Sequence, residues 1–176
     1  VTTDQTSTSG IPAAINIASG VTTAGSLDIR DNIFANTQTV GTRYAIYSAA
    51  PNTVFSAINF NDYYPGTGIL GYLGAAQATL TAWQTATGQD GSSISSDPLF
   101  VSTTDLHITN PSSPAADVGQ TIAAVSIDID GQTRDATTPE IGADEFVFAP
   151  TPTPTATNTP TATPTDTPTN TPVPPT

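Results

Sequence analysis

The residues able to do chemistry are few and almost all acidic. Fifteen Asp and Glu stand against three arginines (Arg30, Arg43, Arg134) and one histidine, with no lysine and no cysteine, for a net charge of −12. Disulfides and thiolate metal sites are therefore excluded, which leaves carboxylate chemistry. Asp90 and Asp97 are candidates for a glycosidase pair, which needs two acids about 5–10 Å apart with separated pKa values. The same residues stand in Asp-Gly and Asp-Pro steps, the ordinary start of a turn. Asp128 and Asp130 in DIDGQ begin like a calcium loop, where alternate carboxylates converge on a hard cation. The later Asp and the bidentate Glu of such a loop are missing at the expected spacing. The competing reading is a tight turn whose aspartates accept backbone amides, with Arg134 pairing Glu140, Asp144 or Glu145 to pin the end of the fold. His107, between Leu106 and Ile108 in DLHIT, alternates outward as a solvated side chain. No Ser-His-Asp order, phosphate loop or zinc spacing is present. No catalytic residue is assigned, and the chain reads as a non-enzyme.

Composition narrows the partners. Nucleic acid requires lysine and arginine to displace counterions from phosphate, so a chain this acidic excludes it. Anionic membrane surfaces and polyuronates are disfavoured unless a cation, calcium being the candidate, bridges them. A uronate lyase would need a base and cations to neutralise its substrate, and three scattered arginines supply neither well. The longest apolar run, Gly68 to Ala76, is far too short to span a bilayer. Beginning at Val1 with no basic, apolar leader, the chain is expected to have lost one or to be a piece of something longer.

Positioning elements come from a repeat. Displaced by 29 positions, Ile15 falls on Tyr44, Ile17 on Ile46, Ile29 on Ile58, Asn32 on Asn61 and Phe34 on Tyr63. Each copy holds two short runs with apolar residues at alternate positions, the period of a strand with one buried face. Such a pair cannot bury that face alone, so the copies must stack. The spacing predicts parallel strands with inward aliphatics in register. Asn32 and Asn61 fall just past a strand, where asparagine tolerates a left-handed bend and can hydrogen-bond its copy one layer away. They are assigned structural roles.

A third copy begins, with Tyr44 and Ile46 mapping onto Leu73 and Ala75, and then gives way to AQATLTAWQTATG. Leu73, Ala76, Leu80 and Trp83 make one helical stripe closed by Gly88. Trp83 is expected to anchor that helix in the core, the other reading being a carbohydrate cleft. Strand-like runs follow in SSISSDPLFV, DLHIT and AAVSIDI, with a tight turn at DGQTR. Consecutive Tyr63 and Tyr64 cannot both point inward. With Tyr72 and Trp83 they form a candidate aromatic platform for glycans.

From Ala149 the composition changes to Thr and Pro, which forbids helix and ladder alike. The 26 residues from Thr151 are expected to form a polyproline-II spacer of roughly 80 Å. Thr/Pro density also characterises O-glycosylated stalks. Candidate acceptors are Thr151, Thr153, Thr155, Thr157, Thr159, Thr161, Thr163, Thr165, Thr167, Thr169 and Thr171. The domain plan is thus a folded unit over 1–148 and a stalk over 149–176.

Four blocks in order carry a family resemblance. The first holds Trp83, Gln89 and Asp90; the second Ser93, Ile94, Asp97, Pro98 and Phe100. A third runs through Ser113, Pro114, Ala115, Asp117 and Gly119. The closing block is Asp128, Asp130, Gly131, Arg134, Ile141, Gly142, Ala143 and Glu145. Together they resemble the C-terminal portion of bacterial secreted right-handed parallel β-helix proteins of the pectin-lyase-like superfamily, particularly choice-of-anchor surface proteins. The resemblance covers about Ala13 to Phe146, although its members carry many more coils. It implies an all-β fold: a right-handed parallel β-helix of about three coils with one short helix, placed outside a bacterial cell. The expected function is a non-catalytic extracellular surface or fibre subunit assembling head-to-tail through its coil ends. Partners would be its own copies or a neighbouring surface protein. The alternative is a carbohydrate-binding or carbohydrate-active fragment.

Overall fold

The computed structural model describes residues 2–3 and 10–146. Among them the chain is mostly sheet, with one short α-helix and no closed barrel. The strands are β1 (Thr2–Thr3), β2 (Ala13–Ile17), β3 (Leu27–Arg30), β4 (Ile33–Asn36), β5 (Tyr44–Ser48), β6 (Phe55–Asn59), β7 (Asp62–Tyr64), β8 (Ile69–Leu73) and β9 (Ala75–Gln77), and α1 spans Leu80–Thr87. They form three sheets, β1-β4-β7, β2-β5-β8-β9 and β3-β6, in which every pair is parallel except β8–β9.

Ile29 lies opposite Ile58, and Phe34 opposite Tyr63, both at the 29-residue offset. The first sheet of each repeat departs from it. Ile15 pairs with Ile46 and Ile17 with Ser48, a two-residue difference. Connection length explains this: residues 18–26 link β2 to β3, whereas the shorter stretch 49–54 links β5 to β6. A slip of two keeps every side chain on its face. In the third layer Ile69 and Gly71 oppose Tyr44 and Ile46, four residues before the expected Leu73 and Ala75. The short turn 65–68, closed by the Gly68 amide on the Pro65 carbonyl at 2.8 Å, brings β8 in early.

Asn32 and Asn61 sit one above the other. Asn61 Oδ1 accepts from Asn32 Nδ2 at 3.2 Å and from the Asn32 amide at 3.1 Å, and Asn61 Nδ2 donates to the Ile29 carbonyl at 2.9 Å. The left-handed bend itself falls one residue earlier, at Asp31 and Phe60, both with φ of 54°. The asparagines instead satisfy backbone groups that the bend leaves unpaired.

The helix is shorter than its apolar stripe. Gly74 (φ 68°) turns β8 back into β9, so Leu73 and Ala76 belong to strands. Thr79 Oγ1 then caps α1 by accepting from the Ala82 amide, and Gly88 (φ 70°) closes it. Trp83 is fully buried and packs with Ile46, Ile58, Tyr63 and Leu70 in the main core. Gly71 makes the seat: a Cβ there would lie 2.6 Å from Trp83 Cε3.

All four residues of β4 are buried because it lies between two cores. Phe34 joins the main core, while Ile33 and Ala35 join a second one with Ile108, Ala115 and Ile141. The strands expected in SSISSDPLFV, DLHIT and AAVSIDI do not form. Residues 92–146 contain only isolated bridges, Asp62 with Ile94 and Ile127 with Thr133. This stretch is irregular backbone held by scattered backbone and side-chain hydrogen bonds, and it returns to the first repeat. Gly142 N donates to the Asp31 carbonyl at 3.2 Å, and Gln120 N donates to Asp31 Oδ1 at 2.8 Å.

Candidate functional site

The acids named from sequence fall into separate places. Asp90 is a buried hub: Trp83 Nε1 and Tyr63 Oη each donate to its Oδ2 at 2.6 Å, and Ser93 Oγ donates to Oδ1. With no solvent access and its oxygens taken up, it joins the helix to the core rather than meeting a substrate. Asp97 turns the other way, accepting from the Leu99 amide at 2.9 Å and from Tyr64 Oη at 3.1 Å. The two carboxylates therefore do not face a common opening as a glycosidase pair must. Tyr63 and Trp83 are fully buried, so the four-residue aromatic platform does not exist either. The exposed-side ring stack is Tyr47 on Tyr72, 4.5 Å apart.

A nearby acid escaped the sequence reading. Asp62 in β7 is fully buried; its Oδ1 accepts from the Ser96 amide at 3.0 Å, while Oδ2 has no hydrogen-bond partner among the described residues. Burial, reinforced by the charge of Asp97, pushes its pKa up to about 7. Glu140, at the end of the fold, behaves in the same way. Arg134 reaches Glu145 at 3.6 Å and donates to the carbonyls of Gly142 and Glu140 at 2.8 and 2.5 Å. Among the described residues no cation pairs with the Glu140 carboxyl. Burial first, then the adjoining Glu145 carboxylate, pushes it up to about 8, so it holds a proton at neutral pH.

Asp128 and Asp130 diverge. Asp128 is buried, its Oδ1 taking the amides of Asp130 and Gln132 at 2.9 and 2.7 Å and its Oδ2 that of Glu145 at 3.1 Å. It builds the turn. Asp130 points away to His107, whose Nε2 lies 2.9 Å from Asp130 Oδ2. The other ring nitrogen, Nδ1, lies 2.5 Å from Asp105 Oδ1. Those two acids, Asp105 foremost, raise the pKa of the imidazole. Sequence alternation placed His107 on the surface but could not supply partners 2 and 23 positions away. Buried Asp144 completes the group, its Oδ2 accepting from the Ile108 amide at 2.7 Å. One donor atom from each of His107, Asp130 and Asp144 lies within 4.8 Å of the others. His107 and Asp144 also line a cleft of about 910 Å³ walled by Leu106, Val125, Ile127 and Ile129.

The ends of the sheets differ. Gln89 covers β6, its Oε1 accepting from the Ile58 amide at 3.3 Å and its Nε2 donating to the Phe55 carbonyl at 3.5 Å. Ile94 covers β7 by accepting from the Tyr63 amide at 3.0 Å, and β9 covers β8. At the other end, Ile15 and Leu27 are only half-buried, whereas the residues facing them in the next layer, Ile46 and Phe55, are buried. No described helix is long and apolar enough to cross a membrane. The candidate glycosylated threonines lie outside the described residues.

No family model, curated protein or solved structure matches this chain.

Proposed function

We propose that this chain is a non-catalytic structural module of an extracellular bacterial surface protein, a short right-handed parallel β-helix carried on a Thr/Pro stalk. The parallel ladders at 29-residue spacing and the four resembling blocks support that class. The observation that carries the function is the unequal treatment of the two ends. Side chains and β9 close the last layer, while at the other end β1 pairs with β4 and, among the described residues, no strand pairs with the outer edges of β2 and β3, which carry half-buried aliphatics. An open parallel edge pairs with another strand when one is offered. Head-to-tail growth needs a receiving edge at both ends, and the closed last layer lacks one. Assembly is therefore head-to-head between two copies, a closed contact that stops at a dimer. The glycan-cleaving reading has no facing carboxylates to support it, and the glycan-binding reading keeps only the half-buried Tyr47–Tyr72 stack.

Sedimentation of the full chain over a wide concentration range tests this. The expected outcome is a concentration-dependent dimer that Ile11→Lys disperses, because Ile11 is exposed beside the open edge. Monomers only, at the highest concentration, contradict the proposal; unlimited growth restores the head-to-tail alternative.

A further inference from the structure

We infer that His107, Asp130 and Asp144 form a binding site for one divalent first-row transition ion of the zinc type. Three chain segments far apart in sequence, 105–108, 128–130 and 144, bring one imidazole and two carboxylates together with donor atoms within 4.8 Å of one another. Donors on a tetrahedral ion at 2.0–2.2 Å sit roughly 3.3 Å apart. The group therefore closes on an ion by small rotations of His107 and Asp130, whose side chains are 43% and 48% exposed.

Three observations point beyond an ordinary ion pair. Asp105 grips Nδ1 of His107 at 2.5 Å, which fixes the ring and aims Nε2 into the group. A carboxylate behind the ligating histidine is the arrangement that orients imidazole ligands and raises their basicity. Second, Asp144 is more than nine-tenths buried, yet only its Oδ2 is engaged, by the Ile108 amide; its other oxygen accepts no hydrogen bond among the described residues. Third, the ligands are pre-positioned by backbone. Asp128 holds the amide of Asp130, and the Ile129 amide donates to the Ala143 carbonyl at 2.9 Å, locking the two ligand-bearing segments side by side.

The donor set selects the ion. Calcium takes six to eight oxygens, whereas one imidazole with two carboxylates suits zinc and its neighbours. In a stretch with no disulfide and no regular strand, such an ion ties together three segments that otherwise meet through one or two hydrogen bonds each. This site is independent of the assembly edge, which lies on β2 and β3.

Titration of the metal-free full chain with Zn²⁺ alone, by calorimetry, tests the assignment, with Co²⁺ absorption as a second readout of imidazole ligation. One saturable equivalent is expected. His107→Gln should weaken it about a hundredfold, Asp105→Asn about tenfold, and Asp97→Asn, an acid outside the group, not at all. Circular dichroism checks that each variant folds, and Asp130→Asn serves if His107→Gln does not. Absence of saturable one-to-one binding, or binding that loses less than tenfold in the His107 or Asp130 variant, overturns the site.

Discussion

Trp83→Ala will remove about 3–5 kcal/mol of folding stability, a large share of the roughly 5–15 kcal/mol a domain possesses. The indole is the largest fully buried side chain described and fills the end of the main core against Ile46 and Tyr63. Its loss opens a cavity and also removes one of the donors to the buried Asp90 carboxylate. The neighbouring Gly71 gives the claim a sharper form. Gly71→Ala alone should cost about 1–3 kcal/mol by overpacking, since its Cβ would meet the indole at 2.6 Å. In the Trp83→Ala background that methyl enters vacated space, and its cost should vanish or reverse. Denaturant unfolding of the four proteins of this cycle measures the coupling. Additive effects would mean that Gly71 does not make the seat for Trp83.

Stability should also fall as pH rises from about 4 to 8. Asp62 and Glu140 both have folded pKa values above the ordinary carboxylate range, at about 7 and about 8, chiefly through burial. A group raised in the folded state binds its proton more tightly there than in the unfolded chain. Its contribution is complete below the unfolded pKa near 4 and is lost as pH climbs through the folded value. For Asp62 the span corresponds to on the order of 2–4 kcal/mol. Below pH 4 the trend reverses. Asp135, held to about 2 by the Thr138 and Thr137 amides and the Thr137 hydroxyl, stabilises the fold above its unfolded pKa and stops doing so as it protonates. An optimum near pH 4–5 follows. Asp62→Asn keeps the acceptor for the Ser96 amide and should flatten the decline, leaving the variant more stable than the parent at pH 8. Thermal unfolding across pH decides it; a parent that grows more stable between pH 5 and 8 contradicts the burial of Asp62.

The amphipathic strands were legible because their evidence is local. Ile29 and Ile58, or Phe34 and Tyr63, repeat at one spacing, and parallel pairing at that spacing buries them together. The exact register of β2 and β8 was not, because it depends on connection lengths that the repeat does not encode. Alternation in AAVSIDI suggested a strand, yet Val125, Ile127 and Ile129 are all exposed, since the stretch finds no ladder to join. The four buried residues of β4 break alternation for the opposite reason: a second core, supplied by residues about 75–110 positions later, covers the face that would otherwise meet water. The chemistry was the least legible part. Asp90 looks like any turn aspartate until Trp83, Tyr63 and Ser93 converge on it, and His107 has no sequence-local sign of Asp130 or Asp144.

The central claim is that consecutive repeats lie side by side as parallel strands. Nuclear Overhauser contacts in a uniformly labelled sample address it most directly. The account predicts contacts from Ile29 to Ile58, Phe34 to Tyr63 and Ile15 to Ile46, with the Asp62 amide close to Asn32. Cross-strand α-proton contacts between residues 27–30 and 33–36, the mark of an antiparallel hairpin within one repeat, would contradict it.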